Sequence, residues 1–172
     1  LMANRVSSYR IFKWNDCSKA GLASDTGNES NAALNTQSCY DWGTGRDMGI
    51  DREAVANHIY EDWPSAADCG KQQYSPMMKT NNEPGNSADD HPQSVETVLA
   101  NWENLMATGK RLCSPSSHDG SLGWLREFID SIDARGWRCD IMDVHCYWPE
   151  GSFNNLSSWY SNYGNRPLWI SE

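Results

Sequence analysis

Apolar residues recur at helical spacing twice in the second half of the chain. One set is Val95, Val98, Leu99, Trp102, Leu105 and Met106; the other is Leu122, Leu125, Phe128, Ile129 and Ile132. Positions three and four apart share one face of a helix, so both segments predict helices with a single apolar stripe. Residues 156–163 predict a third, shorter helix. Around these lie apolar runs too brief for helices, at 77–80, 111–115, 139–147 and 167–172. Short runs bounded by Gly, Pro, Asn and Ser predict strands. The first half is less regular. Residues 21–24, 39–42 and 58–60 predict three more strands, punctuated by the polar loop 25–30, by Gly43-Thr44-Gly45 and by Trp63-Pro64-Ser65. Residues 8–14 predict a strand or an extended lead-in.

Strand followed by helix, repeated with short links, predicts a parallel sheet covered by helices. Either an open doubly wound sheet or a closed barrel satisfies that pattern. No Gly-x-Gly-x-x-Gly follows the first strand, which argues against a dinucleotide-binding fold. The expected class is therefore α/β, a (β/α)8 TIM-barrel-like fold. Seven strands counted from Gly21 make it incomplete, with the eighth strand and its helix missing. Residues 1–18 are expected to be a lead-in and 19–172 the partial catalytic barrel. Leu1-Met2-Ala3-Asn4-Arg5 reads neither as a native start nor as a signal peptide, so the chain is expected to be cut from a longer one.

Composition narrows the partners. Nine Trp and seven Tyr in 172 residues are far more aromatic than a disordered chain. A net charge of −9, with 14 Lys and Arg and no basic cluster, argues against nucleic acid, which needs a cationic face. No run approaches the roughly 20 apolar residues of a membrane span. A neutral ligand such as a sugar fits this surface. Six cysteines at 17, 39, 69, 113, 139 and 146 form no Cys-x-x-Cys pair, which argues against a zinc ribbon. Their spacing leaves disulfides and buried free thiols equally open. No cofactor is expected. Asp143-Val144-His145 has no third ligand at a suggestive spacing, so no metal is expected either.

Candidate chemistry gathers at the strand ends. Asn82 and Glu83 follow the strand at 77–80, His145 and Tyr147 end the strand at 139–147, and Glu172 ends the last one. Trp42 and Trp63 end earlier strands. In (β/α)8 enzymes the C-terminal rim carries the chemistry, so residues distant in sequence would meet in one cleft. Two carboxylates on facing strand tips suit glycosidic cleavage, one donating a proton and the other attacking the anomeric carbon. Mutual repulsion is expected to raise the pKa of the acid.

These segments resemble glycoside hydrolase family 128, the clan A group with an Asl1-like catalytic domain. The resemblance rests on Ser38-Cys39-Tyr40-Asp41-Trp42-Gly43, Glu61-Asp62-Trp63-Pro64-Ser65, Asn81-Asn82-Glu83-Pro84-Gly85 and Cys113-Ser114-Pro115. It continues through Trp124-Leu125-Arg126-Glu127-Phe128, Asp143-Val144-His145-Cys146-Tyr147-Trp148 and Arg166-Pro167-Leu168-Trp169-Ile170-Ser171-Glu172. The resemblance implies a retaining endo-hydrolase of β-1,3-glucan with Glu83 as acid/base and Glu172 as nucleophile. It further implies that Asn82 bonds the sugar 2-hydroxyl and that His145 and Tyr147 orient the nucleophile or the sugar. Trp42, Trp63 and Trp148 are expected as stacking platforms, because an indole face meets the apolar face of a sugar over a large area. A polymeric substrate implies a protein that is secreted, periplasmic or on the cell surface, and a monomer is expected. Where the family has Phe-Asn-Glu-Pro-Asp, this chain has Asn81 and Gly85 in the flanking positions. Without an eighth strand the chain is expected to have two open edges, a poorly held Glu172 and little activity on its own.

Plainer readings stand beside these. Glu83 could be a loop carboxylate before a proline turn, Glu172 an exposed residue at a frayed end, and Asn82 an Asx-turn cap. His145, Tyr147 and the three tryptophans could be ordinary packing. Two other functions remain open: a glycan-binding barrel without catalysis, and a clan A-like hydrolase of another polysaccharide.

Overall fold

The computed structural model describes residues 21–23, 38–44, 53–89, 91–118, 122–147 and 156–172. The lead-in 1–18, Cys17 and Trp148 lie outside the described residues. Seven strands and four helices are described: β1 (Gly21–Ala23), β2 (Ser38–Tyr40), β3 (Glu53–His58), α1 (Ala66–Lys71), β4 (Met77–Thr80), α2 (Val95–Ala107), β5 (Arg111–Pro115), α3 (Leu122–Arg135), β6 (Met142–Val144), α4 (Leu156–Asn162) and β7 (Leu168–Ile170). Strands β1 to β5 form one parallel sheet in chain order, and β6 pairs with β7, also in parallel. Parallel bridges Cys113↔Ile141 and Ser117↔Val144 join β5 to β6. The strands thus follow one another in sequence order, without the reversal of a doubly wound sheet.

Alternation along the strands sorts side chains into two layers. Tyr40, Val55, Met77, Cys113 and Ile141 pack on one face of the sheet. On the other face Ala56, Met78, Leu112, Met142 and Val144 meet the helices. All four residues of β4 are buried, as expected of a central parallel strand covered on both sides.

Helix α2 begins at Ser94, whose hydroxyl accepts the Thr97 N–H at 3.2 Å and satisfies one of the free donors of the first turn. Its buried face is Val95, Val98, Leu99, Trp102 and Leu105, the stripe that the periodicity predicts, and Gly109 follows with a φ of 75°. Gly136, with a φ of 62°, lets the chain turn off α3, and the Trp137 N–H closes back on the Ile132 carbonyl at 3.0 Å. Trp102 is fully buried, edge-on to Phe128 of α3, and its indole N–H donates to the Arg138 carbonyl at 3.0 Å. Trp102→Ala is expected to destabilise the fold by about 3–5 kcal/mol, read from urea unfolding followed by circular dichroism.

Three sequence expectations change. The third strand is not at 58–60 but at Glu53–His58. Ile59 and Tyr60 lie beyond it, in a tight turn where both N–H groups bond the Trp63 carbonyl. Ala54 and Ala56 are weak strand formers on their own and pair here because neighbours cover both faces. Helix α1, six residues capped by the Ser65 hydroxyl, was not predicted. β6 and β7 are shorter than the runs that predicted them.

Cys69, Cys113 and Cys139 carry free thiols. Burial pushes the Cys69 and Cys139 thiols up to about 12, so both stay protonated at neutral pH.

Candidate active site

The loop after β4 is anchored to both neighbouring strand tips. The Asn82 N–H donates to the Ile59 carbonyl at 2.8 Å, and the Ser116 N–H donates to the Asn81 carbonyl at 3.0 Å. On either side of Asn82, Asn81 and Glu83 take φ values of 23° and 37°, left-handed conformations that non-glycine residues rarely adopt. Strain of this kind persists where the surroundings hold it and concentrates at functional sites. It turns the Glu83 side chain toward β6, where His145 waits.

His145 is fully buried, and its ring lies between two carboxylates. Nδ1 is 2.6 Å from Glu83 Oε1, and Nε2 is 3.6 Å from Glu172 Oε1. The second distance exceeds a hydrogen bond, and Nε2 has no partner of its own among the described residues. One imidazole thus lies between the two acids that sequence reasoning paired.

Glu172 is firmly held, contrary to expectation. Tyr147 donates to its Oε2 at 2.6 Å and Tyr40 to its Oε1 at 3.0 Å. Its carbonyl also accepts the Cys146 N–H at 2.8 Å. Partial burial of its hydroxyl, then the bond to Glu172, push the Tyr147 phenol above its ordinary pKa. Burial, then the charges of Glu172 and Asp143, push Tyr40 the same way. Both phenols therefore remain donors across the working pH range.

Glu83 departs from expectation in its titration. Burial pushes its carboxyl up, but the Asn86 amide at 2.7 Å and the His145 ring outweigh burial and hold it below the 4.5 of an ordinary glutamate. These hydrogen bonds favour the charged form, and a neighbouring imidazole, not a second anion, is what Glu83 meets first. An acid with a lowered pKa is deprotonated, and so lost as a proton donor, at lower pH. If Glu83 serves as a proton donor, the basic limb of any rate it controls is expected on the acidic side of an ordinary glutamate's. Asn86→Ala removes one of the stabilising donors and is expected to raise the Glu83 pKa, measured by NMR titration of the side-chain carboxyl carbons across the acid range.

The remaining candidates divide. Asn82 flanks Glu83 and donates to Asp89 at 3.2 Å, while its buried Oδ1 has no hydrogen-bond partner among the described residues. That leaves an acceptor beside the acid. Trp42 is exposed and edge-on to Tyr40, one ring away from Glu172. Trp63 is half exposed, five residues beyond β3, and stacks on Tyr60, which in turn stacks on His91 at 3.8 Å. Trp42 and Trp63 line one open groove, whose lining does not include the two glutamates. Among the described residues no cluster of three or more His, Cys, Asp or Glu is arranged to hold a metal.

Sequence reasoning assigned no role to Tyr40, Asn86, Lys79 or Asp143. A signal for the last two was present: one cation in Met77-Met78-Lys79-Thr80 and one anion in Ile141-Met142-Asp143-Val144, each alone in a buried strand.

No protein-family model and no curated protein matches the chain. Solved structures do. A subgroup I endo-β-1,3-glucanase of glycoside hydrolase family 128 from Amycolatopsis mediterranei, in complex with laminaripentaose, superposes with a TM-score of 0.73 at 27% identity, over 87% of this chain and 68% of that one. A subgroup VI exo-β-1,3-glucanase from Aureobasidium namibiae gives 0.68 at 16% identity, over 86% of this chain and 66% of that one. A subgroup VII oligosaccharide-binding protein from Trichoderma gamsii gives 0.69 at 21% identity, over 91% of this chain and 66% of that one. The fold is that of glycoside hydrolase family 128.

Proposed function

We propose that the chain is a retaining endo-hydrolase of β-1,3-glucan, built on an incomplete (β/α)8 barrel, with Glu83 as acid/base and Glu172 as nucleophile. The observation that carries this reading is the His145 ring spanning the gap between the two carboxylates, 2.6 Å from one and 3.6 Å from the other. The β-1,3-glucan assignment draws on the Amycolatopsis mediterranei neighbour and its laminaripentaose.

In the first step a Glu172 oxygen attacks the anomeric carbon while the Glu83 carboxyl proton passes to the glycosidic oxygen, and the C–O bond to the leaving sugar breaks. In the second step Glu83, now a carboxylate, takes a proton from water, and that water's oxygen displaces Glu172. Double displacement is favoured over single displacement by the two phenols on Glu172. A carboxylate whose oxygens both accept hydrogen bonds is well oriented to attack carbon and poorly disposed to take a proton from water. His145 holds Glu83 in position and carries the proton-bearing nitrogen toward it when Glu83 is ionised. The Asn82 Oδ1 acceptor suits a sugar hydroxyl, and Trp42 and Trp63 offer stacking faces. A polymeric substrate would be met outside the cell.

The test is a polysaccharide panel followed by proton NMR of the first products. Release of β-anomeric oligosaccharides from β-1,3-glucan supports the reading. Release of the α-anomer makes Glu172 a general base instead, and cleavage of a xylan or mannan alone moves the substrate. The depressed Glu83 pKa favours one alternative, a glycan-binding protein, since an ionised carboxylate accepts sugar hydroxyls but donates nothing. Laminarioligosaccharide binding by calorimetry without any reducing-sugar release would establish that alternative.

A further inference from the structure

Beneath the nucleophile lies a buried ion pair that the catalytic steps do not use. Lys79 of β4 and Asp143 of β6 are both fully buried, with Lys79 Nζ 2.5 Å from Asp143 Oδ2. The ammonium has three protons and gives one to each of three oxygens: Asp143 Oδ2, Ser171 Oγ at 2.7 Å and Ser116 Oγ at 3.1 Å. Ser116 in turn donates to Asp143 Oδ2 at 2.8 Å. The same ammonium sits 4.6 Å from the centre of the Tyr40 ring and 5.5 Å from that of Trp169. A buried ion pair is a poor source of stability, because desolvation cancels most of the attraction. Its neighbours point to another use.

Two of the groups that Lys79 touches lead to Glu172, and a third leads to the His145 ring beside it. Ser171 is the residue immediately before Glu172, gripped through its hydroxyl by Lys79, and its carbonyl, 3.1 Å from the Tyr40 hydroxyl, shares that single proton with Glu172 Oε1. Tyr40, the ring under the ammonium, carries the hydroxyl that donates to Glu172 Oε1. Asp143 lies two residues before His145, the ring between the two acids. We propose that Lys79 is a positioning residue for the nucleophile, its buried ammonium fixing Ser171 and Tyr40 so that the Glu172 carboxylate is aimed at the anomeric carbon. This rests on Glu172 being the nucleophile. Misplacing a reacting group by about 1 Å costs on the order of 100-fold in rate, so a loosened Ser171 and Tyr40 act on kcat more than on substrate binding.

The experiment compares the parent chain with Lys79→Met, which keeps the stem and removes the charge, and with Lys79→Arg. It reads kcat and KM on soluble β-1,3-glucan, and a crystal structure of the Met variant reads the Tyr40–Glu172 contact. Lys79→Met is expected to lower kcat on the order of 100-fold with KM within about threefold of the parent, and Lys79→Arg to restore part of it. The Tyr40 to Glu172 contact should open beyond hydrogen-bonding range in Lys79→Met. If Lys79→Met fails to fold, Lys79→Met with Asp143→Leu removes both charges together and is read in the same way. An unchanged kcat, or a fall in folded yield with full kcat per folded molecule, overturns the proposal. Should the parent cleave no glucan, the functional reading fails separately. The crystallographic contact then decides: if it stays intact in Lys79→Met, Lys79 does not position Glu172.

Discussion

Glu172→Gln is expected to lower kcat on β-1,3-glucan by on the order of 10^4-fold or more, the scale seen when a covalent nucleophile is removed. The amide keeps the shape of the side chain and can still meet Tyr40 and Tyr147, so oligosaccharide binding should survive. It cannot form the glycosyl ester. Azide added to Glu172→Ala provides a second reading of the same position. A small anion in the space left by the carboxylate attacks the anomeric carbon from the Glu172 side and leaves a glycosyl azide of inverted configuration. Kinetics and product analysis by NMR check both expectations, and hydrolysis at the parent rate would remove Glu172 from the chemistry.

Glu83→Gln is expected to cost about 10²–10⁴-fold, the usual contribution of a positioned general acid/base. The loss should shrink for substrates whose leaving group needs no proton, because glycosyl transfer to Glu172 then proceeds unaided. With such a substrate azide should rescue turnover and give a product of retained configuration, since it attacks the glycosyl-enzyme from the side where water normally enters. Opposite azide products from the two variants would assign the two roles independently of any distance. Loss of the Glu83 charge should also weaken the hydrogen bond at 2.6 Å to His145 Nδ1, so some loss of stability accompanies the loss of rate.

Much of the second half of the fold was legible because its helices are long enough for periodicity to accumulate. In α2 the buried positions Val95, Val98, Leu99, Trp102 and Leu105 repeat the predicted stripe. The strand β3 was misplaced because Glu53-Ala54-Val55-Ala56-Asn57-His58 has neither alternation nor β-branched weight, and only its neighbours make it a strand. Helix α1 escaped notice because Ala66-Ala67-Asp68-Cys69-Gly70-Lys71 is barely more than one turn, although the Ser65 cap was there to be read.

In the candidate site, the two acids were legible because each ends an apolar run, and the structure brings both to His145. What supports them was not. Tyr40 is 132 positions from Glu172 and Lys79 is 92 from Ser171, and no local pattern links residues so far apart. Their meeting depends on which face of each strand they occupy and on how far the sheet curls, both of them tertiary facts. The titration of Glu83 was misjudged for a related reason. Two acids suggest repulsion, but the ring of His145 stands between them and the amide of Asn86 reaches back three residues to the acid.

The most direct test of the account is covalent trapping. A 2-deoxy-2-fluoro β-laminaribiosyl fluoride slows the second displacement more than the first, so the glycosyl-enzyme accumulates and can be mapped by peptide mass spectrometry. The account predicts one adduct, on the peptide that contains Glu172, with Glu83 unmodified. An adduct on any other residue, or hydrolysis of glucan with no trappable adduct at all, would contradict it.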